Sequence, residues 1–442
     1  ASPIRPRLIQ PSPYNPAMRR SPPTWAVAVT VGGLVAAMVG CSPDATATPT
    51  TLTVPTTTAP IARTDDGILK IGVLTPQGSA NADIGQAMFR AVQVATSQIN
   101  AAGGYQGQAI VVIPADEGVA GVGVDPAIAS LLDSGVDAII GPASSVNALA
   151  GLGEIVEAGV VACSPTASAS LLDNFPDDNL FFRTIPSDSL QAMAMAEAVD
   201  QTGANKATIA YIDDAYGQTF ADNVGSALTR IGISQGAPVP YSSNNQSIRT
   251  AARSIDATQA GVIVVIGDAT SGPVMLREID ADSGTAQPRY VINDAMRRPT
   301  ASAEQMGGSL ASRVQGVSPI AFSTNQDFLA QLGAAPGNSS PYAANAFDCV
   351  NLIALAAMAA KSTLPAMIAA QIPAVSDSGT PCMTAVDCAA GIQAGSNINY
   401  DGPGGPLSIG ANGDVASATF ELFGFDQNGR DYNMNTIGPV HA

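Results

Sequence analysis

From Leu69 onward the chain alternates between two hydrophobic periods. Residues 69–75, Leu-Lys-Ile-Gly-Val-Leu-Thr, form a short, mostly apolar run, which predicts a strand. Ile84, Met88, Val92, Ala95 and Ile99 then recur along one helical face that stops at Gly103-Gly104. The rhythm repeats, with strands predicted at 109–114, 138–141, 160–164 and 180–184 and helices at 126–134 and 146–158. A second series follows Pro186. It has helices at 191–202, 217–231, 248–257 and 271–281, and strands at 206–212, around Val239, at 261–267 and at 289–293. Continuous apolar strands separated by helices imply parallel sheets covered on both faces, so the expected fold class is α/β with two doubly wound lobes. Such sheets bind ligands beyond the carboxyl ends of their strands. The loops to search are therefore 75–84, 141–147, 163–170, 213–217, 267–272 and 293–297.

The first 67 residues follow another pattern. Arg19 and Arg20 precede an uncharged apolar stretch, 25–40, that closes in Met38-Val39-Gly40-Cys41. This reads as an export signal over residues 1–40 with Met18 as its expected start, too short and wrongly flanked for a membrane-spanning helix. Lipidation of Cys41 is the expectation, with ordinary secretion after cleavage near Gly40 as the alternative. Residues 41–67, rich in Thr, Pro and Ala, bury too little apolar surface to fold and are read as an extended tether.

Composition narrows the chemistry. A chain of 442 residues with 46% hydrophobic residues has enough apolar material for two or three domains. A formal net charge of −17 argues against nucleic acid as a partner. The single histidine, His441, leaves Ser-His-Asp catalysis and His-based metal sites without their usual residue, so neither metal nor cofactor is expected. Four cysteines remain after Cys41, an even number suited to an oxidising compartment. Cys382 and Cys388 would close a short loop. Cys163 with Cys349 then follows from arithmetic alone, with two free buried thiols as the alternative.

Several loop sequences are together distinctive. Leu69-Lys-Ile-Gly-Val-Leu-Thr75, Gln98-Ile-Asn-Ala-Ala-Gly-Gly104, Ile139-Ile-Gly-Pro-Ala-Ser-Ser145, Cys163-Ser-Pro-Thr-Ala-Ser168, Phe182-Arg-Thr184, Ala215-Tyr-Gly217 and Met275-Leu-Arg-Glu278 occur in that order. In this arrangement the chain resembles the type I periplasmic binding proteins, most of all the leucine/isoleucine/valine-binding branch of ABC importers, from about Leu69 to the end. The resemblance implies two lobes joined by a three-strand hinge, with crossings at 182–186, near 316–322 and near 399–408. The lobes would comprise 68–185 plus 321–400 and 186–320 plus 401–442. It implies a monomeric extracytoplasmic lipoprotein that delivers a small amino-acid-like ligand to an ABC permease in the membrane.

The resemblance also assigns residues. Ser144 and Ser145 open a helix, where hydroxyls and backbone N–H groups suit a carboxylate, although a plain helix cap explains them equally well. Thr166, Ala167 and Ser168 match a carbonyl, an amide and a hydroxyl that grip the ligand head. Tyr216 matches a tyrosine closing from the second lobe, and Asp294 an acid that pairs with an ammonium. Asp268 stands where the branched-chain binders present an aromatic or glycine-rich turn, and Ile84 where an aromatic covers the ligand. Arg297 and Arg298 follow Asp294 closely enough to neutralise it or to meet a second anionic group. These departures point to a ligand other than leucine.

Two other readings fit parts of the sequence. Gly232-Ile-Ser-Gln-Gly236 fits the G-x-S-x-G pattern of secreted hydrolases, but it ends a predicted helix instead of opening one, so no enzyme activity is expected. A binding protein that signals to a membrane receptor is compatible with the same residues.

Overall fold

The computed structural model describes residues 63–78, 81–284, 286–297, 306–319, 326–333, 340 and 342–441. All of them belong to one compact unit, Ala59–Ala442. The expected signal, Cys41, the Thr/Pro-rich run up to residue 60, and Arg298 lie outside the described residues.

The first lobe begins with β1 (Lys70–Thr75), α1 (Ala82–Ala101), β2 (Val111–Asp116), α2 (Asp125–Asp133), β3 (Ala138–Ile140), α3 (Ser145–Glu157), β4 (Val161–Ser164) and β5 (Phe181–Arg183). These five strands are parallel, in the order β2-β1-β3-β4-β5. β2 is an edge strand, which is why it alternates in burial and tolerates Pro114.

The chain then crosses to α4 (Asp188–Asp200), β6 (Lys206–Ile212), α5 (Ala215–Arg230), β7 (Ser234–Gln235), β8 (Val239–Tyr241), α6 (Asn245–Asp256), β9 (Val262–Ile266), α7 (Ser271–Asp282), β10 (Arg289–Ile292) and β11 (Val314–Pro319). It returns to the first lobe for α8 (Gln326–Gln331), α9 (Ala343–Ala360), α10 (Pro365–Ser376), β12 (Thr380–Cys382), α11 (Ala385–Gln393) and β13 (Ile398–Tyr400). It ends in the second with an antiparallel hairpin, β14 (Ser417–Phe425) and β15 (Asp431–His441). The second sheet runs β15-β14-β11-β10-β9-β6-β7, with β8 also paired to β6. Its central strand β9, Val-Ile-Val-Val-Ile, is buried at every position, as a parallel strand covered on both faces must be.

α9 is long and apolar enough to cross a membrane, yet 83% of it is buried inside the fold. It packs against α1 and α10 as the central helix of the first core, with Phe347, Leu352 and Leu355 facing Met88 and Val92 in one cluster. Disulfides join Cys163 to Cys349, tying the end of β4 to α9, and Cys382 to Cys388. Ser234 of the G-x-S-x-G sequence lies in β7 and donates its hydroxyl to the Asn205 carbonyl at 3.0 Å, with no helix opening behind it.

Two buried clusters hold the passages between lobes. Arg183, wholly buried, pairs with Asp173 and Asp414, each at 2.6 Å. It also donates to the carbonyls of Ala167 and Ala169. Leu407, Ile409 and Val415 still pack in the first core, so the last passage is completed only past Val415. Asp348 of α9 accepts from Tyr400 Oη at 2.7 Å and from the Gly404 amide at 2.8 Å, and a side chain at Gly402 or Gly404 would collide with its carboxyl.

Arg297 corrects an expectation. It turns away from Asp294 into the second core, donating to Ser318 Oγ and Glu421 at 2.6 Å and to Asp431 at 2.7 Å, over the ring of Phe423. A guanidinium at this depth is tolerated only where carboxylates meet it, and β14 and β15 supply them. Arg297→Ala is expected to destabilise the protein by about 3–5 kcal/mol in denaturant unfolding, because the buried Glu421 loses the Arg297 guanidinium.

Burial lifts the Asp348 carboxyl to about 8, against the hydrogen bonds from Tyr400 and Gly404 that pull it down. A carboxyl raised on folding gives stability that is complete below its unfolded range and is lost as pH climbs through its folded value. Melting followed by circular dichroism is expected to show the midpoint falling from about pH 4 to about pH 8, with a shallower fall in Asp348→Asn.

Candidate ligand-binding cleft

On the first lobe, two strand-end loops are laced together. Thr166 Oγ1 donates to the Ala143 carbonyl at 2.6 Å, Ser164 Oγ donates to the Pro142 carbonyl at 2.7 Å, and the Ala169 amide donates to Ser145 Oγ at 3.2 Å. Ser144 occupies the N-cap of α3 with extended backbone, but its side chain makes no capping bond. The Glu117 carboxylate, from the loop after β2, takes the Ala143 amide at 2.7 Å and the Ser144 amide at 3.2 Å instead. Burial pushes Glu117 up to about 7 against those two amides. The Ala167 amide, expected to meet a ligand, already donates to Ser164 Oγ at 2.9 Å. The amides of Ser145 and Ser168 make no hydrogen bond to another described residue. They are backbone donors open to a further acceptor.

The second lobe faces these loops with acids. Asp294 is buried just after β10. Its Oδ1 accepts from Gln191 Nε2 at 2.9 Å and its Oδ2 from Tyr342 Oη at 2.8 Å. Gln191 stands on α4 of the second lobe, whereas Tyr342 heads α9 of the first, so one carboxylate is held from both lobes. Asn223 Nδ2, donating to Ser170 Oγ at 2.7 Å, makes a second bond across the cleft. Tyr216, in the first turn of α5, packs against apolar clusters of both lobes and accepts from Asn293 Nδ2 at 2.8 Å. Burial holds its phenol well above the usual range, and the charges of Asp188 and Asp294 add to the rise.

Asp188 is the residue the sequence reading missed. It is wholly buried in the first turn of α4, and neither carboxylate oxygen has a well-formed hydrogen bond among the described residues. Desolvation, and then the charge of Asp294, raise it well above the ordinary carboxylate range. The nearby Ser168 hydroxyl and the Arg183 guanidinium pull the other way. The Asp188 amide donates to the Ser168 carbonyl at 2.8 Å, which fixes this acid against the 164–169 loop. An acid at the start of a helix ordinarily reads as a cap. The signal that distinguishes it, burial without a donor, is tertiary. Glu117, Gln191 and Tyr342 were missed for the same reason.

Among the expected residues, Ser168, Tyr216 and Asp294 therefore converge around Asp188, and Ser145 is tied to the same loop through the Ala169 amide. Asp268 lies apart from that centre, half-buried after β9. Its Oδ1 takes the Thr270 amide at 2.7 Å and the Ser271 hydroxyl at 3.0 Å, an Asx turn that starts α7. No group of three or more metal-ligating side chains occurs among the described residues. The arrangement offers acceptors for a cationic head on one side and backbone donors for an anion on the other.

Comparison with known proteins gives the family and the fold. The family model described as periplasmic binding protein matches residues 68–430. The chemotactic signal transduction system substrate-binding protein BasB of Halobacterium salinarum is 27% identical over 332 residues, 73% of this chain and 78% of that protein. The leucine binding protein LivK of Thermotoga maritima superposes with a TM-score of 0.69 at 18% identity, covering 84% of this chain and 99% of LivK. A solute binding protein from R. palustris in complex with benzoate superposes with a TM-score of 0.68 at 16% identity, covering 85% and 98%. The fold is thus that of the type I binding proteins, and the chain belongs to the periplasmic binding protein family.

Proposed function

We propose that this protein is the extracytoplasmic binding component of an ABC importer and that it captures an amine-bearing, amino-acid-like solute between its lobes. The observation that carries the reading is Asp188, a buried carboxylate without a partner beside a second one, Asp294. A ligand ammonium placed there supplies the missing counter-charge, and in a site closed to water such charge-assisted bonds are at their strongest. Ser145 and Ser168 are assigned to the ligand carboxylate, and Tyr216 to its cover. Closure is favoured because the ligand touches both lobes only when they are shut. The leucine-binding name of LivK supports the amino-acid class. Lipidation at Cys41, with residues 41–67 as tether, would keep the lobes beside a permease on the outer face of the membrane.

A second reading, ligand sensing for a membrane receptor, is favoured by the likeness to BasB. Crosslinking in membranes separates the two. Retrieval of permease subunits supports delivery, and retrieval of a chemoreceptor supports sensing.

Thermal unfolding of the purified protein against a library of amino acids and amides tests the site. One compound is expected to add about 2.7 kcal/mol of stability at a hundred times its Kd. Asp294→Ala, Ser145→Ala and Asp188→Asn should each remove most of that gain. A library without any stabilising compound would falsify the amino-acid reading.

A further inference from the structure

We propose that one face of α9 positions the cleft: the Cys163–Cys349 disulfide and Asn345 hold the head of this helix so that Tyr342 meets Asp294 when the lobes shut. The inference rests on the ligand-capture reading above and adds positioning residues that act through Tyr342.

Spacing makes the first argument. Tyr342, Asn345 and Cys349 follow one another at three and four residues, so they share one face of the helix. All three are buried, and each is bonded to a different part of the molecule. Tyr342 Oη donates to Asp294 of the opposite lobe at 2.8 Å. Asn345 Nδ2 donates to the Thr184 carbonyl at 2.8 Å, and Thr184 Oγ1 donates to the Asn345 carbonyl at 2.9 Å, at the passage from β5 to α4. Cys349 is joined to Cys163, whose neighbour Ser164 bonds to the Pro142 carbonyl and the Ala167 amide in the strand-end loops. The Thr184 amide donates to the Ser164 carbonyl at 3.3 Å, which links the passage to the same loop.

Topology explains why such a fixture is needed. The five strands of the first sheet all come from the first stretch of chain, whereas α9 belongs to its return. No strand ladder therefore sets the register of α9 against that sheet. The helix is rich in alanine, whose short side chains make shallow ridges. Among the described residues, its covalent and hydrogen-bonded links to the first sheet and the β5–α4 passage are those of Asn345 and Cys349. Asp348 and Asn351 bond to Tyr400 and Gly404 instead. A slip of one residue advances a helix by about 1.5 Å and turns it by about 100°. Either movement would part Tyr342 from Asp294.

The second, independent observation is in the backbone. Tyr342 has a φ of 58°, in the left-handed region that a bulky residue keeps only where its surroundings compel it. The anchored helix behind it and the carboxylate ahead of it supply that constraint.

Two measurements test the linkage. Equilibrium dialysis against an equimolar mixture of the protein amino acids, read by amino-acid analysis, gives affinity, and hydrogen exchange of the ligand-free protein gives local opening. Cys163→Ala/Cys349→Ala removes the cross-link. Asn345→Ala keeps it, and carries the test if the first variant does not fold. Cys382→Ala/Cys388→Ala, which opens a bridge spanning six residues, is the control. Both disulfide variants are expected to melt lower than wild type. Only the first variant and Asn345→Ala should speed exchange in the first two turns of α9. Only they should weaken retention, by about tenfold, the worth of one hydrogen bond to a carboxylate. In a Tyr342→Phe background the same replacements should cost much less affinity, because the group they position is gone. Unchanged retention, an equal loss in the control, or full additivity with Tyr342→Phe overturns the positioning role and leaves ligand capture standing. If the wild-type protein retains no amino acid, the amino-acid reading falls. Faster exchange confined to the head of α9 then still upholds positioning, and a uniform change overturns it.

Discussion

Three passages of the chain meet at one guanidinium. Arg183 ends the last strand of the first sheet, and from there it grips Asp173, Asp414 and the carbonyls of the 167–169 loop. Asp173 in turn accepts from Ser187, the residue before Asp188. The position of the head acid, the shape of the ligand loop and the seat of the last crossing are therefore set by one buried charge and its two counter-charges. Such a cluster adds little net stability, but losing one member strands the others in a medium that cannot solvate them. Its contribution is to geometry, since few alternative arrangements satisfy all its donors.

The acids of the cleft work by the opposite rule. Around Arg183 every charge is answered, whereas Asp188 is buried beside a like charge and unanswered. Natural folds tolerate that kind of frustration chiefly where something else completes the set. Glu117 shows the same economy on the facing lobe, where it takes the two amides at the head of α3 and leaves those of Ser145 and Ser168 open to a further acceptor.

Much of the fold was readable from periodicity. Strands such as β6 and β9 are short, mostly apolar and bounded by helices with one greasy face, and both lie within a residue of their expected ends. The hairpin of β14 and β15 was not readable, because β15 is a polar edge strand whose partners are its only reason to be extended. Within the proposed site, Ser145, Ser168, Tyr216 and Asp294 were assigned through the family resemblance of their loops. Asp188 was not singled out, because an acid at the head of a helix has the local pattern of an ordinary cap, and Arg297 was read as a neighbour of Asp294. Whether a charge faces a cavity or a core is decided by how the chain folds back on itself. For Arg297 the deciding residues, Glu421 and Asp431, lie far along the sequence.

The bond from Tyr342 to Asp294 has a consequence for traffic through the cleft. In the proposed cycle, a clamp that shut while vacant would draw two like charges out of water with little more than the Tyr342 phenol and the Asn223 amide bridging the divide. That strain is a built-in safeguard against false reports. An unloaded molecule springs back, and whatever waits downstream encounters the shut shape almost only when cargo is aboard.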